Sequence, residues 1–478
     1  MIQVYSIRMT NMKHFLFLLI PATVSGFSSA YTQAQDKQSP NVVFILADDM
    51  GIGDLGCYGQ QKIKTPHIDE MAANGLLFRN HYSGSTVSAP SRCCLMTGKH
   101  TGHAYVRGNK GVRNEEGFFD LHLPESEVTV AQLFKQKGYA TMCVGKWGLG
   151  GPRTSGSPVR KGFDYFFGYL SQGAAHRYYP DYLYENEEKV MIDGKTYSHF
   201  LIMEKGLDFI RKNQDKPFFA YFAITPPHAD LDYPDLGEYE DAFEEEPFEN
   251  PDFSKGRGFK PQPKPRAAYA AMVSEVDKNV GQVLDLLKEI GQLENTIVIF
   301  ASDNGVHNVG GHDPSYFNSN ASLRGIKRDL YEGGVHVPFV VSWPKVIGQP
   351  RVTEHIATFW DFMPTVCDLL GLPVPQGSDG LSYLPVLENR EQEQAKHDYL
   401  YYEFYEQGGK QSIYKDGWKL VRLNMDKPAK RVEELYYLPD DKCERKNLLL
   451  QYPQKVKELK QLMSEAHTDS EHFSWSNK

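Results

Sequence analysis

Continuous apolar runs that end in acidic residues constrain the fold of this chain more than any other feature of its sequence. Residues 41–47 form one such run, which Asp48 and Asp49 follow, and residues 295–301 form another, which Ser302-Asp303-Asn304-Gly305 follows. Runs of this length without polar alternation are typical of strands buried on both faces, as in a parallel sheet. Because ligands bind at the carboxyl edge of open α/β sheets, the polar residues at these strand ends are candidate ligand-binding groups.

Helical patterns alternate with the apolar runs along the main part of the chain. Two further buried strands are predicted at residues 139–144 and 217–225. Helices are predicted at residues 65–78, 129–137, 198–213, 266–290 and 355–370. This alternation predicts an α/β fold in which helices cover a largely parallel sheet.

The last hundred residues have a different pattern. Short strands separated by Gly-Gly and Asp-Gly turns are predicted at residues 399–405, 411–414 and 419–423. A helix at residues 453–467 would pack on the small antiparallel sheet that these strands form. We therefore predict a main domain at residues 39–378 and a smaller C-terminal α+β subdomain at residues 379–478.

Composition excludes some classes of protein. The 478 residues, 41% of them hydrophobic and 24% charged, are enough to bury a large core. The formal net charge of −9 argues against general nucleic-acid binding. None of the six cysteines forms a CxxC pair, so a zinc site is not indicated.

Residues 1–34 have the pattern of a secretory signal peptide. Lys13 and His14 precede the apolar run at residues 15–22, and small residues suited to cleavage follow. The apolar run is too short for a permanent membrane span. We predict an exported protein without a stable membrane span, and a buried N-terminal strand is the alternative.

The two polar strand ends predict a cation site. Adjacent carboxylates such as Asp48 and Asp49 repel each other, and a bound cation relieves that repulsion. Asp303 and Asn304 repeat the pattern at the end of another strand. Oxygen ligands suit calcium or magnesium better than zinc. Taken alone, Asp48-Asp49 would more often be a solvated pair at a turn.

Ser88 lies in a second candidate site, at the start of a short predicted helix. Small residues precede it, Pro90 stands where a first helical turn begins, and Gly98 ends the helix. The free amide hydrogens and the dipole of a helix N-terminus favour an anion there. Arg92 follows one turn later and can bind the same anion with its two-pronged guanidinium.

The stretch from Ser88 to Gly98 resembles the sulfatase signature. That signature has Cys or Ser, any residue, then Pro-Ser-Arg, followed by a Leu and Thr-Gly, and every fixed position is met here. In that family the first residue is oxidised to formylglycine, an aldehyde whose hydrate attacks sulfur. The resemblance implies that Ser88 is the modified residue. It also implies a formylglycine-generating maturation enzyme of the bacterial radical type, and hence a periplasmic or extracellular location.

Further motifs extend the resemblance over residues 41–448. They are Gly145-Lys146-Trp147, Pro227-His228, Ser302-Asp303-Asn304-Gly305 and Arg324-Gly325-Ile326-Lys327. The implied fold is the alkaline-phosphatase-like mixed sheet sandwiched by helices, with a smaller C-terminal α+β domain of antiparallel sheet plus helix. One position departs from the family, because Gly148 stands where its members carry a histidine that contacts the formylglycine.

The resemblance also implies roles for individual residues. Calcium, with magnesium as the alternative, would be held by Asp48, Asp49, Ser88, Asp303 and Asn304. Arg92, Lys146 and Lys327 would offset the charge of the sulfate. His228, together with Lys327, would protonate the leaving alcohol.

The substrate is predicted from polar residues near these motifs. His176 and Arg177 lie in an aromatic-rich loop, and His312 and Asp313 follow a glycine pair a few residues beyond the second acidic strand end. Side chains that donate and accept hydrogen bonds suit hydroxyl-rich sugars. We predict an exo-acting sulfatase of sulfated galactose or N-acetylhexosamine units. Aromatic loop packing is an equal alternative for His176 and Arg177.

Two other functions remain open at this point. One is a phosphoester or phosphonate hydrolase of the same superfamily that uses Ser88 without oxidation. The other is a glycan-binding protein without turnover, which the absence of the family histidine at Gly148 suggests.

Overall fold

The computed structural model describes residues 39–114 and 117–475, so the predicted signal peptide at residues 1–34 lies outside the described residues. Sixteen strands are described. They are β1 (Asn41–Ala47), β2 (Leu76–Tyr82), β3 (Gly111–Asn114), β4 (Gly117–Asp120), β5 (Ala140–Lys146), β6 (Tyr165–Tyr169), β7 (Tyr182–Glu185), β8 (Glu188–Met191), β9 (Phe218–Ala223), β10 (Thr296–Ser302), β11 (Phe339–Ser342), β12 (Arg351–Thr358), β13 (Leu400–Phe404), β14 (Lys410–Lys415), β15 (Trp418–Leu423) and β16 (Val432–Tyr437).

Ten α-helices are found in the same part of the chain. They are α1 (Pro66–Ala73), α2 (Ser88–Thr97), α3 (Val130–Gln136), α4 (Ser198–Lys212), α5 (Pro265–Glu289), α6 (Pro314–Phe317), α7 (Glu332–Val335), α8 (Phe362–Leu370), α9 (Leu384–Leu387) and α10 (Pro453–Glu465). No helix within residues 39–114 and 117–475 is long and apolar enough to cross a membrane.

A ten-stranded mixed sheet forms the centre of the fold. Its order is β12-β2-β11-β10-β1-β9-β5-β6-β7-β8. The five strands β10, β1, β9, β5 and β6 run parallel, whereas β11 on one side and β7 and β8 on the other are antiparallel to their neighbours. The carboxyl ends of the parallel strands therefore meet at one edge of the sheet.

Helices cover both faces of this sheet, as the apolar runs predict. In β1, Val42 and Phe44 point into a core shared with α2, α3 and α8. The alternate residues Val43 and Ile45 point into a second core shared with α1, α4 and α5. Successive side chains of a strand point to opposite faces, so an uninterrupted apolar run supplies both cores.

The C-terminal part forms a four-stranded antiparallel sheet in the order β13-β14-β15-β16, with α10 against it. Ile413 and Leu420 of the sheet share a small core with Leu459 and Met463 of α10. This confirms the predicted fold class of a mixed sheet between helices with a smaller antiparallel sheet plus helix. The sequence pattern does not predict the fourth strand, β16.

Two predicted helices are wrong in part. The helix predicted at residues 65–78 ends at Ala73, and the chain turns at Gly75 into β2, which pairs with β11. The helix predicted at residues 355–370 begins only at Phe362, because residues up to Thr358 belong to β12 and pair with β2. In both places, pairing within the sheet overrides the local helical pattern.

Candidate active site

Two neighbouring parallel strands bring the predicted acidic residues together. β1 and β10 are paired in register from Asn41 with Thr296 to Ala47 with Ser302. Asp48 and Asp49 leave the end of β1, and Asp303 and Asn304 follow the end of β10. The Asp49 N–H donates to Asp303 Oδ1 at 3.1 Å, and all four side chains are fully buried.

Ser88 lies against these carboxylates at the first residue of α2. Its Oγ donates to Asp48 Oδ1 at 3.1 Å. Lys146, the last residue of β5, places its Nζ 3.2 Å from Ser88 Oγ. The predicted nucleophile position therefore has a carboxylate on one side and an ammonium on the other, inside a buried site.

Three cationic side chains face three carboxylates here. Arg92 Nη2 lies 3.3 Å from Asp48 Oδ2 and 3.0 Å from Asp303 Oδ2. Lys146 Nζ lies 2.5 Å from Asp48 Oδ2, and Lys327 Nζ lies 2.5 Å from Asp49 Oδ2. We call the following six residues the charged centre: Asp48, Asp49, Asp303, Arg92, Lys146 and Lys327. Its formal charges cancel, so a cation binds most favourably together with an anion.

The pKa values of the three carboxyl groups reflect opposing forces. Burial disfavours the charged form of Asp48, but Lys146 and Arg92 lower its pKa to about 2. Burial also opposes ionisation of Asp49, and Lys327 holds its pKa below the ordinary value. Burial and the neighbouring charge of Asp48 raise the pKa of Asp303 to about 6. The raised pKa of Asp303 indicates that the positive side chains offset its charge only in part, so this carboxylate favours a further positive charge nearby.

Asn304 carries the clearest sign of a cation site. Its Nδ2 donates to Asp49 Oδ1 at 2.7 Å and to Gly305 O at 2.9 Å. Its Oδ1 is buried and has no hydrogen-bond partner among the described residues. A buried acceptor without a partner is costly, and a metal ion is one group that satisfies it. The donor set of carboxylate and amide oxygens fits calcium or magnesium.

Another group with metal-ligand residues, His100, His103 and Asp379, lies apart from the charged centre. The Gly102 N–H donates to His100 Nδ1 at 3.1 Å, which leaves the ring proton on Nε2, the nitrogen that faces Asp379 at 3.8 Å. A protonated ring nitrogen is a donor and not a ligand. Hydrogen bonds also connect the group, because Asp379 accepts from the backbone N–H of His100 at 2.9 Å and contacts His103 Nδ1 at 2.8 Å.

His228 follows β9 and reaches the charged centre from another strand end. Its Nε2 lies 3.3 Å from Asp49 Oδ2, and its Nδ1 donates to the carbonyl of Ala229. Burial and Lys327 hold the pKa of His228 well below its ordinary value, which favours the neutral ring. A bound anion would offset Lys327 and raise that pKa again.

His176, one of the predicted substrate-binding residues, lies next to His228, and Arg177 follows it in the chain; their contact with substrate stays a prediction. The His176 ring is 4.5 Å from the His228 ring and stacks on Phe259 at 5.8 Å between centroids. Burial and Lys146 lower the pKa of His176 to about 4, so it is a neutral donor and acceptor. Arg177 Nη1 is held by Asp230 Oδ2 at 2.5 Å, and its side chain remains 41% exposed.

The structure does not bring His312 and Asp313 to the charged centre. The His312 ring stacks on Tyr269 at 3.5 Å and is buried. Asp313 caps α6 by accepting from the Ser315 N–H at 3.0 Å. Among the described residues, neither side chain hydrogen-bonds to the charged centre, because the chain after Gly311 turns against α5. Their predicted contact with substrate stays a prediction.

Two residues near the site are not among the predicted site residues. The His307 ring lies 5.9 Å from the His228 ring and is fixed by the Pro227 carbonyl and the Val309 N–H. Gln172 fills the space beside Gly148. Neither lies in a motif that the sequence could have singled out, since both are brought to the site by loops.

Comparison with known proteins identifies similar families. A family model described as Sulfatase matches residues 40–372, and one described as N-sulphoglucosamine sulphohydrolase, C-terminal, matches residues 326–470. The chain is 32% identical over 398 residues to the N-acetylgalactosamine-6-sulfatase of Canis lupus familiaris, covering 77% of this chain and 69% of that protein. It is 29% identical over 453 residues to the steryl-sulfatase of Rattus norvegicus, covering 77% and 74% respectively.

A solved structure is similar over nearly the whole described chain. It is the crystal structure of Ps i-CgsB in complex with k-i-k-neocarrahexaose, with a TM-score of 0.74 and 26% identity. The match covers 90% of this chain and 92% of the other.

Proposed function

The chain belongs to the sulfatase family and is a sulfuric ester hydrolase, and we propose that it removes sulfate from carbohydrates in an exo-acting manner. The sulfated units we propose are galactose or N-acetylhexosamine sulfates. The observation that carries this proposal is the polar chemistry beside His228, where neutral His176 adjoins the His228 ring and the next residue, Arg177, has a partly exposed side chain. Such groups bind hydroxyls by donating and accepting hydrogen bonds, whereas a simple aryl sulfate needs an apolar slot.

The similar proteins support a carbohydrate substrate. One group of relatives is named for the 6-sulfate of N-acetylgalactosamine, and the similar crystal structure is of a complex with k-i-k-neocarrahexaose. Steryl-sulfatase is also a relative, so family membership alone does not select a sugar. The polar chemistry beside His228 is what favours one.

We propose that a calcium ion, or magnesium, is held by Asp48, Asp49, Asp303 and Asn304 together with the side chain of residue 88. When bound, the ion supplies positive charge that withdraws electron density from the sulfate ester. The unpartnered Asn304 Oδ1 and the crowded carboxylates support this assignment.

We propose further that Ser88 is oxidised to formylglycine, whose hydrate supplies the oxygen nucleophile for sulfur. Lys146 holds residue 88, and Arg92 and Lys146 hold the sulfate by charge in a buried site. His228, with Lys327, holds the proton that the leaving alcohol takes up, because the sulfate charge raises the pKa of His228. The oxidation requires a maturation enzyme, and the predicted signal peptide supports export to the periplasm or the cell exterior.

The test is a panel of mono-sulfated sugars assayed beside an aryl sulfate and a matching phosphate ester, on enzyme whose Ser88 is fully modified. We expect sulfate release from at least one sugar to exceed release from the aryl sulfate. Faster turnover of the aryl sulfate than of every sugar would contradict the carbohydrate assignment. Preferential phosphate release would identify the phosphoester or phosphonate hydrolase, and tight binding of a sulfated sugar without release would identify the glycan-binding protein.

A further inference from the structure

Gly148 leaves a gap beside the charged centre that another residue fills. It lies two residues beyond Lys146 and has a positive φ of 75°. A Cβ placed on Gly148 would lie 1.8 Å from Gln172 Nε2. The Gln172 amide therefore occupies the space that a side chain of residue 148 would take.

The Gln172 amide is buried and lacks an acceptor. The residue is 8% exposed, and its Nε2 has no hydrogen-bond partner among the described residues. A buried N–H group without an acceptor is destabilising. Such a donor is satisfied when a ligand brings an acceptor to it.

Asp120 fixes the loop that carries Gln172. The Gln172 N–H donates to Asp120 Oδ2 at 2.7 Å, and the buried Asp120 carboxyl interacts electrostatically with Lys146. The strands β5 and β6 are parallel neighbours, and beyond them the Gly148 N–H donates to Leu170 O at 3.2 Å. Gln172 is thus carried to the same sheet edge as Lys146, whose Nζ lies 3.2 Å from Ser88 Oγ.

We propose that Gln172 Nε2 donates a hydrogen bond to an oxygen of the bound sulfate, from the space that its amide occupies beside Gly148. The inference rests on the proposed function in that sulfate is the anion. Sulfate oxygens only accept hydrogen bonds, so they complement an amide N–H that has no acceptor of its own. In this arrangement Gln172 is a further catalytic donor, and Asp120 is the residue that positions its backbone.

The first test replaces Gln172 by methionine, which keeps the volume and removes the donor. Binding of inorganic sulfate to protein with unmodified Ser88 is measured by calorimetry, and turnover is measured on modified enzyme. We expect about tenfold weaker sulfate binding and about 10²-fold lower kcat, the usual range for loss of one donor to a developing oxyanion. The matched control is Gln411→Met, another buried glutamine, which lies in the C-terminal sheet and should leave both values unchanged.

The second test displaces the amide without altering it. Gly148→Ala puts a Cβ where Gln172 Nε2 lies, so it should reproduce the losses of Gln172→Met. The control is Gly138→Ala, which has a similar φ of 79° but no atom within 4 Å of the new Cβ. It carries the same backbone strain and should keep wild-type sulfate binding.

The outcomes separate this inference from the proposed function. If Gln172→Met and Gly148→Ala fold and bind sulfate as tightly as wild type, Gln172 is not a sulfate donor and the inference is overturned. A loss confined to thermal stability overturns it as well, because it shows a packing role only. If wild type binds sulfate through Gln172 but hydrolyses no sulfate ester, the proposed function fails and the inference stands.

Discussion

The charged centre and a second buried cluster of charges differ in whether the polar atoms in and beside them find partners within the protein. The second cluster, which we call the junction triad, consists of Glu332, Lys419 and Glu444. Lys419 Nζ lies 2.8 Å from Glu332 and 3.0 Å from Glu444. The Glu332 N–H donates to Glu444 Oε2, and the Tyr82 hydroxyl donates to Glu332 Oε2.

The junction triad joins the two sheets, because Tyr82 belongs to β2 and Lys419 to β15. Its glutamates accept from the protein itself, through Lys419, a backbone N–H and a hydroxyl group. Beside the charged centre, by contrast, Asn304 Oδ1 and Gln172 Nε2 have no hydrogen-bond partner among the described residues. Glu444 Oε1 of the junction triad also lacks a hydrogen bond, but it forms an ion pair with Lys419 Nζ at 3.0 Å. Removing one partner of a buried ion pair destabilises the fold, whereas a buried polar atom without a partner is suited to a ligand.

The largest effect is expected from Lys146→Ala in the charged centre. Loss of an ammonium that holds residue 88 and the sulfate should lower kcat by about 10³-fold. In the presence of calcium the variant should remain folded, because the cation compensates Asp48. Steady-state kinetics with circular dichroism check this, and Lys195→Ala, an exposed lysine, is the control. Full activity of Lys146→Ala would remove Lys146 from the proposed mechanism.

The reverse pattern is expected from Lys419→Met in the junction triad. Removing the one cation leaves two buried carboxylates uncompensated, so the free energy of unfolding should fall by about 3–5 kcal/mol. The kcat of the molecules that remain folded should stay near the wild-type value. Denaturant unfolding and active-site-normalised kinetics measure the two quantities. A large loss of kcat at unchanged stability would show that the two clusters are not separate in function.

Depletion of divalent cations should also distinguish the two regions. A ligand that binds only the folded state at about 100 times its Kd stabilises by about 2.7 kcal/mol. We expect chelation to lower the melting temperature of wild type, and to do so much less in Asn304→Ala, which lacks the unpartnered oxygen. The same chelation should lower the melting temperature of Glu444→Gln as much as that of wild type. An equal response of Asn304→Ala would place the cation elsewhere.

The smallest effect is a pH dependence of stability from Glu444. Burial and the charge of Glu332 raise the pKa of Glu444 to about 7, while Lys419 opposes them. A raised carboxyl pKa contributes stability that is complete below the unfolded pKa and is lost as pH rises through the folded pKa. Between about pH 5 and pH 7, wild type should therefore lose about 2 kcal/mol relative to Glu444→Gln. Urea unfolding at several pH values measures this difference, and parallel curves for the two proteins would refute it.

The sequence predicts the acidic residues of the site but not all of the residues that surround them. Asp48, Asp49, Asp303 and Asn304 follow apolar runs, and the carboxyl ends of parallel strands necessarily share one edge. Gln172 escapes prediction because it reaches the site through a loop, and only the absence of a side chain at Gly148 leaves room for it. His307 also escapes prediction, because a backbone carbonyl far away in the sequence, that of Pro227, fixes its ring beside the site.

Local patterns fail where partners in the sheet decide the structure. Leu76–Tyr82 follows a genuine helix, and its conversion to a strand depends on pairing with β11 and β12. The pattern at residues 355–358 likewise predicts a helix, although these residues form the end of an edge strand. The long central strands are predictable because both of their faces are apolar, a property that needs no knowledge of the neighbouring strand.

The most direct test of the account compares the mass of the Ser88 peptide with sulfate release, in protein produced with and without a serine-type maturation enzyme. Oxidation of Ser88 to formylglycine removes two hydrogen atoms, so the modified fraction is read from the peptide mass. The account predicts that specific activity is proportional to this fraction and is nearly absent when Ser88 is intact. Full sulfatase activity from protein with unmodified Ser88 would contradict it.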